Sequence, residues 1–141
     1  MRILKNKIVA SVLAFAVASS SIAVCISNAS SYTSTLDIAY NSWMAGADRS
    51  FDSANYHIKI RPKTLYSGKT SVDVDVCSKT TIFGVVWDYN ELCGDTVDLE
   101  KTGTTYSKSL GNASSGTRCY IFSTSGNRGG FNADYVQMSS T

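Results

Sequence analysis

The chain of 141 residues contains a single histidine, His57, and a single proline, Pro62. Imidazole is the usual zinc ligand and the usual base beside a serine or cysteine nucleophile, so one histidine excludes multi-histidine metal sites and leaves at most one triad. The strand pattern places His57 on a solvent face, which favours an ordinary surface residue. The sequence therefore favours a non-enzymatic protein and indicates no catalytic residue, cofactor or metal. No repeat of fixed period occurs, so propeller and solenoid folds are not favoured.

Charged residues are also scarce, at 17% of the chain, and lysine and arginine form no cluster. Of the 13 basic and 11 acidic side chains, three basic ones and no acidic one lie within residues 1–29. Without that segment the chain has a formal charge of about −1 and lacks the basic surface that phosphate backbones require. Nucleic acid is therefore not an expected partner, and neither is an anionic membrane bound by charge alone.

The N-terminal segment has the three sections of a secretory signal peptide. These are the basic residues Arg2, Lys5 and Lys7, an apolar run over 8–17, and the small residues Ser27 and Ala29. We expect cleavage after Ala29, which leaves a single secreted domain over residues 30–141. An uncleaved membrane anchor and a lipoprotein signal acylated at Cys25 are the alternatives. No second apolar run of spanning length follows, so we expect no stable membrane insertion after cleavage.

Short segments of alternating apolar and polar residues, separated by glycine-rich and polar turns, fill the rest of the chain. The pattern predicts strands over residues 36–41, 56–61, 71–77, 81–87, 96–100, 104–110, 118–123 and 131–138. Residues 45–55 are small and turn-forming and predict a loop. No segment has sustained helical spacing. We therefore expect an all-β fold, an antiparallel β-sandwich or small barrel of about seven or eight strands.

Residues 81–87 are apolar at both even and odd positions. A strand of this kind is typical of a location covered on both faces, so we expect it at the centre of the core, with Gly84 as a β-bulge.

Three cysteines follow the predicted signal peptide, Cys77, Cys93 and Cys119. An exported protein meets oxidising conditions, which predicts one disulfide and one remaining thiol. All three pairings are open, and Cys77 with Cys93 is preferred because it closes the shortest loop. A bridge over ~15 residues contributes about 3 kcal/mol in the chain-entropy model.

Two groups of carboxylates invite a chemical interpretation. Asp73 and Asp75 lie two apart on a predicted strand and point the same way, as a calcium site or an acid/base pair would require. Asp95, Asp98 and Glu100 form a second group, without the ligand order of an EF-hand. For Asp73 and Asp75 we favour a solvated surface that resists aggregation, and for the second group calcium binding is not favoured.

The candidate binding residues are aromatic: Trp43, Tyr66, Tyr89 and Tyr106, with Tyr40 beside them. Exposed rings on β-sandwiches stack on sugars or anchor protein partners. We therefore expect a non-catalytic exported protein that binds an extracellular protein or glycan. A secreted antibacterial, bacteriocin-like or toxin-like effector is the alternative, and a protease inhibitor using residues 89–95 as its loop is a third interpretation.

Overall fold

The computed structural model describes residues 30–126 and 128–141. The predicted signal peptide, residues 1–29, and the alternative acylation site Cys25 lie outside the described residues, so both stay predictions. All regular secondary structure in the described part of the chain is β-strand. Within those same residues, no helix has the length and apolar character needed to cross a bilayer.

Nine strands follow one another along the described chain. They are β1 (Ser30–Ile38), β2 (Trp43–Ala45), β3 (Arg49–Phe51), β4 (Asn55–Leu65), β5 (Thr70–Ile82), β6 (Val85–Leu99), β7 (Tyr106–Asn112), β8 (Gly116–Ser123) and β9 (Phe131–Ser140).

The strands form two antiparallel sheets. One has four strands in the order β1-β9-β4-β7, and the other has five, in the order β2-β8-β5-β6 with β3 also paired to β8. Buried side chains from both sheets, such as Ile58 of β4 and Val74 of β5, form one apolar core. The all-β, sandwich-like architecture is confirmed. The strand count differs from the expected seven or eight for two reasons. β2 and β3 occupy part of the segment 45–55 and its border, where the sequence predicts a loop, whereas the predicted strands over 81–87 and 96–100 are not separate, because residues 85–99 form the single strand β6.

Alternation along β5 is the clearest link from sequence to packing. Val72, Val74 and Val76 are fully buried in the core, while Asp73 and Asp75 between them lie on the opposite face of the sheet. A period of two is what a strand covered on one face requires.

Phe51 of β3 lies at the centre of an aromatic cluster within the core. Its ring centroid is 5.3 Å from that of Tyr32, 5.4 Å from that of Tyr56 and 5.7 Å from that of Tyr120. Buried rings in edge-to-face contact stabilise a core beyond their area alone. This short strand, missed in the sequence, therefore supplies a main contact within the core.

The predictions of one continuous strand over residues 81–87 and of its burial are both wrong, because Phe83 and Gly84 form a turn between β5 and β6. β5 pairs with β8 only from Asp73 to Cys77, but it continues to pair with β6 as far as Ile82. From Ser78 onward the hairpin is a two-stranded ribbon, with no third strand beside it in the described part of the chain. Every residue of 81–87 is exposed.

Candidate binding surface

The β5–β6 hairpin extends beyond the sandwich, and we call its residues 78–91 the arm. Its register pairs Lys79 with Tyr89, Thr80 with Asp88, Thr81 with Val86 and Ile82 with Val85. The register shifts between Thr80 and Thr81, which leaves Trp87 as the extra residue of a β-bulge. The expected bulge at Gly84 is therefore in a different place, because Gly84 belongs to the turn.

The arm ends in a two-residue turn with an unusual first residue. Phe83 has φ of 50° and Gly84 has φ of 78°, so both central residues are left-handed. A turn with positive φ at both positions favours Asn-Gly, because a bulky side chain is disfavoured in this conformation. Phe83 is also fully exposed, at 101% of its reference surface. Neither local conformation nor burial accounts for a phenylalanine here.

Apolar side chains cover the end of the arm. Residues 82–87, which we call the tip, comprise Ile82, Phe83, Gly84, Val85, Val86 and Trp87. Trp87 is 74% exposed and Val85 is 65% exposed. Contiguous exposed apolar surface on a small protein marks an interaction site. The tip is therefore the leading candidate for a binding surface in the described residues.

At the base of the arm, two of the predicted binding residues meet. The ring of Trp43 lies edge-on to that of Tyr89, with centroids 6.0 Å apart. Lys79 Nζ lies 5.8 Å from the centroid of Tyr89 and forms a 2.8 Å ion pair with Asp48. Since Trp43 stays 60% exposed, this base cluster presents an open aromatic ring beside the arm.

The other two predicted binding residues lie elsewhere. Tyr66 is exposed, and its hydroxyl donates a 2.7 Å hydrogen bond to Asp37 at the end of β1. Tyr106 is half-buried, and its hydroxyl accepts hydrogen bonds from the backbone N–H groups of Glu100 (3.1 Å) and Lys101 (2.8 Å). Tyr106 thereby holds the β6–β7 turn. The structure gives it a structural task and leaves the binding role of all four residues a prediction.

Asp73 and Asp75 point to the same face of the sheet, but their pKa values shift in opposite directions. Arg128 donates hydrogen bonds of 3.0 Å and 2.7 Å to the Asp73 carboxylate, and Thr96 adds a third. The Arg128 guanidinium lowers the pKa of Asp73 below its ordinary value. Burial, followed by the hydrogen bond to Glu91 and its charge, raises the pKa of Asp75 to about 7. A Cβ at position 94 would clash with Asp75 Oδ1, so Gly94 makes room for that carboxyl.

Two neighbouring acids whose pKa values shift in opposite directions are typical of acid/base sites. Here Asp73, the acid with the lowered pKa, forms an ion pair with Arg128, which does not favour a catalytic role. No group of three or more potential metal ligands occurs among residues 30–126 and 128–141. A shallow depression of about 470 Å³ beside β4, β7 and β9 is lined mainly by polar and basic residues together with Ile58, and its lining contains no tryptophan, tyrosine or phenylalanine for sugar stacking. These surfaces offer less for recognition than the arm does.

All three described cysteines are free thiols, so the expected Cys77–Cys93 bridge is not formed. Strand register gives the reason: Cys93 lies opposite Val76 and packs against the core, whereas Cys77 lies opposite Cys119 on the outer face. Burial raises the pKa of the Cys77 thiol to about 12, which leaves almost no thiolate at neutral pH. His57 lies 2.9 Å from Thr141 Oγ1 on the four-stranded sheet, so the structure places no histidine beside these thiols.

The inhibitor interpretation also loses its loop, because residues 89–95 lie within β6. The residues that sequence reasoning missed are those of the tip. The signal available in the sequence is Phe83 directly before Gly84, because a large ring beside a turn glycine is not expected inside a buried strand.

No protein-family model, no curated protein and no solved structure matches this chain. The geometry of the arm therefore carries the functional argument.

Proposed function

We propose that this protein is an exported, non-catalytic binding protein that contacts its target with the arm. The observation that carries the proposal is the tip, an exposed apolar surface at the end of a ribbon that the core does not need. The sandwich has its own buried core without these residues. A side chain such as Phe83, kept in a disfavoured conformation and in water, is typical of residues retained for binding.

The contacts at the base of the arm also support binding through the tip. Lys79 pairs with Asp48, and Tyr89 contacts Trp43, so both strands of the arm are fastened to the segment that contains β2. A ribbon held at its root presents the tip with less freedom to lose on binding, which favours affinity. Trp43 lies beside the arm and would meet a target that reaches past the tip.

The test is binding of fluorescently labelled purified protein to the surface of intact cells, with bacterial and animal cells measured in parallel. In the tip variant, Phe83→Asn with Trp87→Gln, we expect at least about tenfold weaker binding, because two large apolar contacts are removed. The matched control is Tyr40→Ser, which removes another exposed aromatic side chain outside the arm. Equal cell binding by the tip variant and the native protein would refute the proposal.

A secreted antibacterial or toxin-like effector is the second candidate, and the apolar character of the tip on both faces of the ribbon favours it. An effector of this kind would inhibit growth of neighbouring cells in proportion to tip-dependent binding. Binding without growth inhibition would leave the simple binding function.

A further inference from the structure

We infer that the target of the tip is a lipid bilayer, into whose interfacial layer residues 82–87 insert while the sandwich stays in water. This inference rests on the proposed function and names its partner. It differs from the insertion that the sequence excluded, because the contact is shallow and reversible and no strand spans the membrane.

Both faces of the ribbon are apolar at the tip. Ile82 lies opposite Val85 on one face, and Val86 lies opposite Thr81 on the other. Trp87, the extra residue of the adjacent bulge, is 74% exposed. A groove on a protein covers one face of a ribbon and leaves the other in water, whereas lipid surrounds it. A bilayer therefore satisfies all of these exposed side chains at once.

The size of the tip points away from a protein partner. Stable protein interfaces use about 20–30 residues on each side, and the tip has six residues. The residues next to the tip, Thr80, Thr81 and Asp88, are polar or charged, so the apolar surface of the tip is interrupted before the Trp43–Tyr89 pair at the base of the arm. A second copy of this chain docking on the tip alone would bury too little surface to hold.

The length of the apolar segment matches the depth of the bilayer interface. From the turn to the Thr80–Asp88 pair the ribbon rises about three residues, or roughly 10 Å. Interfacial segments bury their apolar face by ~5–10 Å, whereas a spanning strand needs ~9–11 residues. Backbone groups on the open edges of the ribbon need water or headgroups, which also limits insertion to this layer.

The charges on the arm indicate which lipids it prefers. Asp88 and Glu91 are acidic, and the one cation of the arm, Lys79, is paired with Asp48. No free positive charge on the arm therefore attracts anionic headgroups. We expect binding to zwitterionic phosphatidylcholine that changes little with salt, and no gain from anionic lipid.

Tryptophan fluorescence tests the insertion directly, because the chain has only two tryptophans, Trp43 and Trp87. In Trp43→Phe, Trp87 is the sole reporter, and phosphatidylcholine vesicles should shift its emission to the blue. Lipids brominated near the headgroup end of the acyl chain should quench it more than lipids brominated near the bilayer centre. The matched variant Trp87→Phe reports from the base and should respond less. An unshifted Trp87 emission at saturating lipid would overturn the inference.

Vesicle sedimentation with tip variants gives the second measurement. Phe83→Asn with Val85→Thr should bind phosphatidylcholine vesicles at least about tenfold more weakly, and Tyr40→Ser should bind as the native protein does. Asparagine suits the turn conformation at position 83, so lost binding would not reflect an unfolded arm. Equal vesicle binding by the double variant would overturn the lipid inference. Binding that requires phosphatidylglycerol would overturn the expected preference for zwitterionic lipid.

The two proposals fail separately. Tip-dependent binding to cells without any binding to phosphatidylcholine vesicles would overturn the lipid inference, keep the proposed function and point to a protein or glycan receptor. Loss of tip dependence on cells as well as on vesicles would overturn both.

Discussion

The two halves of the β5–β6 hairpin are similar in apolar content and opposite in surroundings. In the root half, Val72, Val74 and Val76 are fully buried between the sheets. In the outer half, Val85, Val86 and Trp87 are exposed to solvent. Cys77 marks the border, since it is the last residue of β5 that has β8 as a neighbour. The same residue types thus stabilise the fold on one side of the border and are free to bind on the other.

The largest expected effect is at the border itself. Under oxidising conditions we expect Cys77 to bridge to Cys119, its cross-strand partner, and Cys93 to remain alkylatable. The bridge would tie the root of the arm to β8 and stabilise the protein by about 2–4 kcal/mol. Peptide mapping of the oxidised protein after alkylation measures the pairing, and thermal unfolding with and without reductant measures the gain. A Cys77–Cys93 peptide would contradict the register argument.

A matched pair of truncations compares the two halves directly. Val74→Ala removes two methyl groups from the core and should reduce the free energy of unfolding by about 2–3 kcal/mol. Val85→Ala removes the same groups from the tip and should change it by no more than about 0.5 kcal/mol. Urea unfolding of both variants provides the measurement. A large loss in Val85→Ala would mean that the tip is packed after all.

The sequence reveals the part of this contrast that depends on local interactions and not the part that depends on residues distant in the chain. The alternation of Val72, Val74 and Val76 with polar residues is local, and it predicted the root half of β5 correctly. Burial of residues 81–87 depends on whether a third strand lies alongside, which the local pattern does not contain. The sequence predicts a loop at Phe51 for a similar reason, because its small, polar neighbours give no strand pattern and the strand forms by pairing with β8.

The same limit applies to the candidate binding residues: their types are visible in the sequence, but their contacts are not. The sequence predicts Trp43 and Tyr89 as binding residues, but the contact between their rings depends on the pairing of β2 with β8 and of β5 with β6. The structural task of Tyr106 needs the backbone of Glu100 and Lys101 to turn back toward it, which residue type alone does not indicate.

Two aspartates in the root half provide a prediction of intermediate size. The folded-state pKa of Asp75 is about 7 against an ordinary 3.8, so between these values the folded state binds more protons than the unfolded state. Stability should therefore fall as pH rises from about 4 to about 7. Asp75→Asn removes this penalty, and because the site is partly solvated we expect a gain of about 1–2 kcal/mol at pH 8.

Asp73→Asn is the matched control with the opposite sign. The pKa of Asp73 is lowered by Arg128, so its stabilisation is present above its ordinary pKa and is lost as pH falls toward the folded-state value. The variant should be less stable than the native protein at pH 8. Thermal unfolding across pH 2–8 measures both profiles, because the Asp73 effect lies below pH 4 and the Asp75 effect lies between about pH 4 and 7. Parallel curves for the two variants would show that neither shift exists.

The smallest effect on stability is expected at the turn of the arm. Variants at this position distinguish residues needed for stability from residues needed for binding. Phe83→Asn places a residue that tolerates positive φ where phenylalanine is disfavoured, so it should stabilise the hairpin by about 0.5–1 kcal/mol. Thermal unfolding measures the gain, and Phe83→Ala serves as the control that removes the ring without favouring the turn. Both variants should weaken attachment to cells, because both delete the ring. A variant that is more stable yet binds less would show that the tip is maintained for contact and against the preference of its own backbone.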